Sequence, residues 1–186
     1  MSRVSRSTLM VLAATVSLMA VTSAAAQAKV FQVTGTQTTI TPTSQVAGFL
    51  ASHHVTVSAI GPATISGGAV TLPIAGGFVT KSTNGGLLRH TGGLKFTVGS
   101  RSVAVTHFVL IAHKVHGRLL AWVGGRRITV ARLIDASRTV SGKTGTLTGE
   151  LTLSAAAAHK INKRLGKHIV TGGTELGALS SSVTVA

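Results

Sequence analysis

Apolar and polar residues alternate along most of the chain in short runs that favour β-strands. From residue 55 onward the runs are rich in Val, Ile and Thr, and glycine pairs separate them at the spacing of hairpins. They read "HVTVSAI", "ATISGGAVTLPIAGGFVT", "GLKFTVGSRSVAVTHFVLIAH", "RLLAWVGGRRITVARLI" and "GTLTGELTLS". Tight turns are expected at Gly67-Gly68, at Gly99 and at Gly124-Gly125, because glycine readily takes the positive φ that such turns need.

The clearest single strand covers residues 102–113. Its odd positions carry Val103, Val105, His107, Val109, Ile111 and His113, and its even positions are mostly apolar as well. Because neither face is strongly polar, the pattern favours a central strand that is covered on both sides. It also puts His107 on an apolar strand face.

Two segments have helical rather than strand periodicity. "TSQVAGFLASHH" begins at a capping Thr43 or Ser44, and "SAAAAHKINKRLGK" begins at a capping Ser154 and stops at Gly166. Basic residues late in the second segment suit the negative end of a helix dipole. With this many short strands, the chain predicts a mainly β fold: a single sandwich-like antiparallel domain with two short helices.

The first 28 residues have the three parts of a secretory signal peptide. Arg3 and Arg6 precede an apolar run from Leu9 to Val21, and small residues follow. The run is shorter than the roughly 20 residues that a spanning helix needs. We therefore expect residues 1–28 to be removed, leaving residues 29–186 as a single mainly β domain with its core at about 55–186. This predicts a secreted or surface-associated protein without a transmembrane segment after cleavage.

The charge balance is strongly basic. Eighteen Lys and Arg residues stand against three Asp and Glu, for a formal net charge of +15. Such a charge favours polyanionic partners, such as the acidic polymers of a cell wall. Nucleic acid is not expected, because there is no glycine-rich phosphate loop and no interleaving of basic and aromatic residues.

The residues that usually carry catalysis or bind metals are scarce. The chain has three acids, no Cys, no Gly-x-Ser-x-Gly and no His-Glu-x-x-His, so no enzyme activity is predicted. His113 and His116 flank a turn and could converge, but Lys114 and Arg118 beside them would repel a dication. Because structural zinc sites usually include thiolates, no metal site is predicted.

Haem is the cofactor that the remaining residues can serve. The chain has no Tyr and no Cys, and all three Met residues lie in the first 28 residues, so an axial ligand would have to be a histidine. His90 and His107 are the candidates, and Arg89 and Arg127 are candidates to neutralise the propionates. The alternatives are a turn-stabilising role for His90 and a core or edge position for His107, hydrogen-bonded to a backbone carbonyl.

Several of these segments, taken in order, resemble a known family. The glycine-rich strand pair at 67–79, "LLRHTGGLKF" at 87–96, the long strand after it and the late "LT…AAA…IN" segment are similar to the HtaA-type domain of secreted and surface actinobacterial proteins. The resemblance spans roughly residues 60–165. It implies a mostly β domain associated with haem binding and iron acquisition.

The resemblance stops at the iron ligand. Haem-binding members of that family use a Tyr ligand assisted by His, and this chain has no Tyr, so the ligand position does not carry over. The sequence thus predicts an exported, non-enzymatic binding protein for haem or porphyrin, linked to iron acquisition. The alternative is a basic, cell-wall-associated structural or interaction module that binds acidic polymers.

Overall fold

The computed structural model of the protein describes residues 30–80 and 85–185. The expected signal peptide lies outside these residues. The described chain forms eleven strands and two helices. They are β1 (Val30–Pro42), α1 (Ser44–Ser52), β2 (Thr56–Ile60), β3 (Thr64–Ser66), β4 (Ala69–Thr80), β5 (Gly85–His90), β6 (Gly93–Val98), β7 (Arg101–His113), β8 (His116–Val123), β9 (Arg126–Ser141), β10 (Thr144–Leu153), α2 (Ala155–Leu165) and β11 (Glu175–Val185).

Eight of the strands close into an antiparallel barrel. Around it the order is β7-β5-β4-β1-β11-β10-β9-β8, and β8 pairs with β7 to complete the circle. The remaining strands extend the sheet outside this circle: β6 pairs with the first half of β7, β2 pairs with β6, and β3 pairs with β4. The mainly β composition and the two helices were predicted correctly, but the sheet is barrel-like rather than sandwich-like.

Bulges give the sheet the curvature that closure needs. Register shifts interrupt the pairings β1–β11, β4–β5, β7–β8, β8–β9, β9–β10 and β10–β11. Each bulge bends its strand and increases the local twist, which favours a closed barrel over two flat layers. The first strand, β1, lies ahead of residue 55 and joins β4 to β11, so the segment before the expected core is part of the barrel wall.

The two ends of the barrel differ. At one end α2 packs against β7, β8 and β9, with Ala157, Ala158, Ile161 and Leu165 buried. At the other end lie the β7–β8 and β9–β10 turns, the end of β4 and the start of β5. No helix covers this second end within residues 30–80 and 85–185.

Local chemistry sets the helix ends as the sequence predicted. Thr43 caps α1 by accepting a hydrogen bond from the backbone N–H of Val46, and Ser154 caps α2 through the N–H of Ala157. Gly166 ends α2 in the left-handed conformation, at φ 69°. Neither helix, nor any other in the described part of the chain, is long and apolar enough to cross a membrane.

The core fills the barrel from the α2 end. Its residues are mainly aliphatic and point inward from alternate strand positions. Those with 1% exposure or less include Leu72, Leu110, Ala121, Val123, Ala131, Leu133, Leu151 and Leu179.

Candidate functional site

His90 lies inside the barrel at the end of β5. Its Nε2 is 2.7 Å from Oγ1 of Thr38 on β1, and its Nδ1 is 3.2 Å from the carbonyl oxygen of Phe108 on β7. Oγ1 of Thr38 is in turn 2.7 Å from Oγ of Ser181 on β11. Because a carbonyl oxygen can only accept, Nδ1 carries the proton and donates to Phe108. In the neutral ring the Thr38 hydroxyl then donates to Nε2, and the Ser181 hydroxyl donates to Thr38.

These three side chains form a polar trio that is fully enclosed. Thr38, His90 and Ser181 are 0%, 5% and 1% exposed. Burial lowers the pKa of His90 to about 4, against a smaller opposing effect of its hydrogen bond to Phe108. The imidazole is therefore neutral at pH 7, and both of its nitrogens are occupied. The sequence also allowed His90 to stabilise the turn that follows it. It does not bond that turn, since Phe108 lies on a neighbouring strand.

Arg89 lies on the outside of the barrel, whereas its neighbour His90 lies on the inside. It is exposed on β5, opposite Val109 of β7, while His90 points inward. Successive residues of a strand face opposite sides of a sheet, so this pair is divided between the outside and the inside of the barrel. The two do not form one site.

His107 lies at a bulge on the outside of the barrel. The register between β7 and β8 shifts between Thr106 and Val109, and His107 has φ 55°, which is unusual for a residue other than glycine. The bulge reverses the inward positions of β7, from Val103 and Val105 before it to Phe108, Leu110 and Ala112 after it. His107 is thereby exposed, whereas the sequence pattern had put it on an apolar face. Its Nδ1 lies 3.0 Å from Oγ1 of Thr106.

An outer groove of about 290 Å³ surrounds this histidine. Thr106, His107, Trp122, Gly124 and Arg164 contribute to its walls. Trp122, the only tryptophan, is 45% exposed. On β8 it stands between Thr106 of β7 and Arg127 of β9, which are its direct cross-strand neighbours. Two of the four residues predicted for a cofactor, His107 and Arg127, are therefore on the same outer sheet surface.

Cationic groups border the outer groove. Arg164 of α2 donates from Nη2 to the carbonyl oxygen of Gly124 at 3.2 Å, which holds its guanidinium at the groove. The pKa of Lys160, one helical turn earlier, is lowered by desolvation and then by the nearby guanidinium groups of Arg126 and Arg164. The sequence had assigned the basic residues of α2 to helix capping and did not place them near His107.

A larger cavity occupies the barrel at the end away from α2. Its volume is about 930 Å³, and its walls are mainly aliphatic, with Leu88, Leu110, Ala112, Leu147 and Val183 among them. Ser181 lines it as well, so one member of the polar trio is on the cavity wall. Lys114 and Arg138 are its cationic residues, and none of the chain's three acids is on its wall.

The remaining histidines form no metal-binding cluster in residues 30–80 and 85–185. The rings of His113 and His116 face each other across the β7–β8 hairpin, with their centroids 6.2 Å apart. In the described part of the chain, no three His, Cys, Asp or Glu side chains come together to hold an ion.

Comparison with known proteins identifies the fold. The fold is similar to that of the HtaA-type domain, as the sequence resemblance predicted. The C-terminal domain of HtaA from Corynebacterium glutamicum superposes with a TM-score of 0.67 at 16% identity, covering 83% of this chain and 99% of that one. The N-terminal domain of the same protein gives 0.64 at 13% identity, covering 82% and 99%.

A third similar structure is that of a heme-binding protein. HtaB from Corynebacterium glutamicum, a heme-binding protein, gives a TM-score of 0.58 at 12% identity over 85% of this chain and 96% of its own. No family model and no curated protein sequence matches the chain. At these identities the likeness establishes the fold.

Proposed function

We propose that this protein is a non-enzymatic binding protein for haem or a related porphyrin, and that the outer groove is its site. The observation that carries the proposal is the position of His107, an exposed imidazole beside an exposed Trp122. The fold shared with HtaB, a heme-binding protein, supports the same ligand class. An exported or surface-associated protein linked to iron acquisition is the setting in which we expect it to act.

The hydrogen bond to Thr106 suits His107 to iron ligation. When Nδ1–H donates to Oγ1 of Thr106, the lone pair of Nε2 points away from that contact. Histidines that bind metals usually donate their other N–H to a protein oxygen, which fixes the ring and raises the basicity of the ligating nitrogen. The backbone at φ 55° turns the side chain outward, where a ligand can reach it.

The rest of the outer groove suits the macrocycle and the propionates of a haem. The exposed face of Trp122 offers a flat apolar surface to a macrocycle. Arg164 in the groove and Arg127, the cross-strand neighbour of Trp122, would pair with the propionates, since guanidinium groups bind carboxylates through two parallel hydrogen bonds. Haem, when bound, would supply the iron that an imidazole nitrogen can ligate.

His90 is a poorer ligand in this chain. Both of its nitrogens already have partners, and its ring is 5% exposed. Binding iron would require breaking the contact with Thr38 and opening the barrel interior, and burial penalises such polar rearrangements. We therefore assign the ligand to His107 and a structural role to His90.

Hemin titration of the purified protein tests the assignment. Wild type should shift the Soret band with saturation near one hemin per chain, and His107→Ala should abolish the shift. Thr106→Val should keep the ligand but weaken binding by about 10–100-fold, the usual cost of losing a histidine's hydrogen-bond partner at a metal. His113→Ala, which removes an exposed histidine at the other end of the barrel, is the matched control and should bind as wild type does.

Two outcomes would reject the assignment. A wild-type protein that gives no Soret shift at micromolar hemin does not bind haem through an imidazole. A shift that survives in His107→Ala but disappears in His90→Ala would move the ligand into the barrel. Retention on cell-wall extract that falls steeply with salt, without any Soret shift, would instead favour the acidic-polymer alternative.

A further inference from the structure

The barrel cavity is separate from the outer groove and has different chemistry. It opens at the end away from α2, and it shares no lining residue with the groove around His107. At about 930 Å³ it is in the range of small-molecule sites, and an eight-stranded barrel is wide enough to hold one small ligand. This volume lies within a stable wall rather than in a cleft between domains.

The wall is apolar along its depth. Leu88, Leu110 and Leu147 line it, and each of them is less than a tenth exposed. From Ser181 at the floor to Val185 at the rim, β11 advances four residues, or roughly 14 Å at the usual strand rise. Exposed Val115 and Val140 continue the apolar surface at the mouth. A hydrocarbon body of several carbons would be in contact with aliphatic groups throughout.

The wall contains an arginine, Arg138, and no Asp or Glu side chain among the described residues that line it. Arg138 of β9 is half-buried, and its one hydrogen bond within the described residues runs from Nη1 to the carbonyl oxygen of Gly85, at 3.5 Å. Partial burial lowers its pKa from the usual value. Lys114 adds a second positive charge, while all three acids of the chain lie elsewhere. A partly desolvated guanidinium gains from a carboxylate that it can bind at two points.

Among the described residues, no group on the cavity wall can ligate iron strongly. The lining contains no His, and the chain has no Tyr and no Cys. The ligand must therefore be recognised by apolar contact and by charge. We propose that the barrel cavity binds an apolar monocarboxylic acid of the fatty-acid type, with its carboxylate at Arg138 and Lys114 and its hydrocarbon chain inside the barrel.

Calorimetric titration with dodecanoate tests the proposal. We expect saturable binding of one dodecanoate per chain, and much weaker binding of dodecanol, which has the same chain without the charge. Arg138→Ala should weaken dodecanoate binding by about 10–100-fold, the usual loss for a hydrogen bond to a charged group. Arg132→Ala is the matched control, since Arg132 is an exposed arginine on the same strand, and it should bind as wild type does.

Chain length gives a second, independent measurement. Each methylene buried in the cavity should tighten binding by up to about fourfold, so decanoate should bind up to about fifteenfold more weakly than dodecanoate. This series needs no variant and does not depend on the folding of a mutant. A flat dependence on length would show that the chain stays outside the barrel and would overturn the proposal.

The remaining outcomes are equally decisive. Equal affinity for dodecanol and dodecanoate, or an unchanged affinity in Arg138→Ala, would overturn the role of the charge. Displacement of bound hemin by one equivalent of dodecanoate would show that the two ligands share a site and would overturn the separation from the outer groove. Dodecanoate binding without any hemin binding would support the cavity site, even though the haem proposal had failed.

Discussion

Replacing His90 should remove most of the acid sensitivity of this protein. The pKa of His90 is about 4 in the fold and 6.5 for an unperturbed imidazole. Between these values the unfolded chain binds one proton that the folded chain does not, so the free energy of unfolding falls as pH decreases. Full stability from this group is present above pH 6.5, and it is lost progressively down to about pH 4.

The size of the effect follows from the shift in pKa. At 1.36 kcal/mol for each pKa unit, a lowering from 6.5 to about 4 corresponds to about 3 kcal/mol of unfolding free energy. Acid sensitivity in most proteins comes from many carboxylates, but this chain has only three Asp and Glu residues. A single buried histidine can therefore dominate the pH dependence.

Urea unfolding followed by far-UV circular dichroism, repeated between pH 4 and pH 7, measures this directly. His90→Gln should be less stable than wild type at pH 7, because it disturbs the contacts with Thr38 and Phe108, but its stability should change much less across the range. His113→Gln controls for the loss of a histidine as such, since His113 is exposed. Parallel wild-type and His90→Gln curves would refute the idea that a buried neutral imidazole sets the slope.

Two further substitutions test the packing that supports both proposed sites. Leu133→Ala should lower the free energy of unfolding by about 2–5 kcal/mol, because Leu133 is 0% exposed in the barrel core, whereas Ile134→Ala on the outward side of the same strand should cost about 1 kcal/mol or less. Asn162→Ala should cost about 1–3 kcal/mol, since its side chain bonds the backbone N–H groups of residues 169 and 170 and the carbonyl oxygen of residue 170, while the exposed Lys163→Ala stays within about 0.5 kcal/mol. Equal losses within either pair, measured by urea unfolding, would contradict the assigned contacts.

Sequence reasoning succeeded where structure depends on neighbouring residues. Ser154 caps the start of α2 and Gly166 caps its end, as predicted, because caps are formed by side chains and backbone within a single turn. The glycine turns at 67–68, 99 and 124–125 fall between strands for the same reason. Closure of the barrel depends instead on pairing between distant strands, β1 with β11 above all, and no local pattern encodes it.

The site residues show the same division. One extra residue in the bulge of β7 moves His107 from the inner to the outer face, and period-two alternation cannot reveal such an insertion. The cavity exists only once the barrel is closed, so nothing in the sequence around Arg138 marked it. Thr38 belongs to a Thr- and Gln-rich segment that did not stand out as a strand, although it is completely buried.

The polar trio gives a structural reason for a buried histidine in this barrel, although its burial costs free energy. Thr38, His90 and Ser181, together with the Phe108 carbonyl, connect β1, β5, β7 and β11 through hydrogen bonds that only one register satisfies. An apolar core would tolerate a one-residue slip of a strand more easily than this network, in which every displaced group would be left buried and unpaired. Of the three residues, Ser181 is on the cavity wall and His90 is not. We infer that the trio fixes the register of the barrel strands, and that ligands bind instead at the outer groove and the cavity mouth.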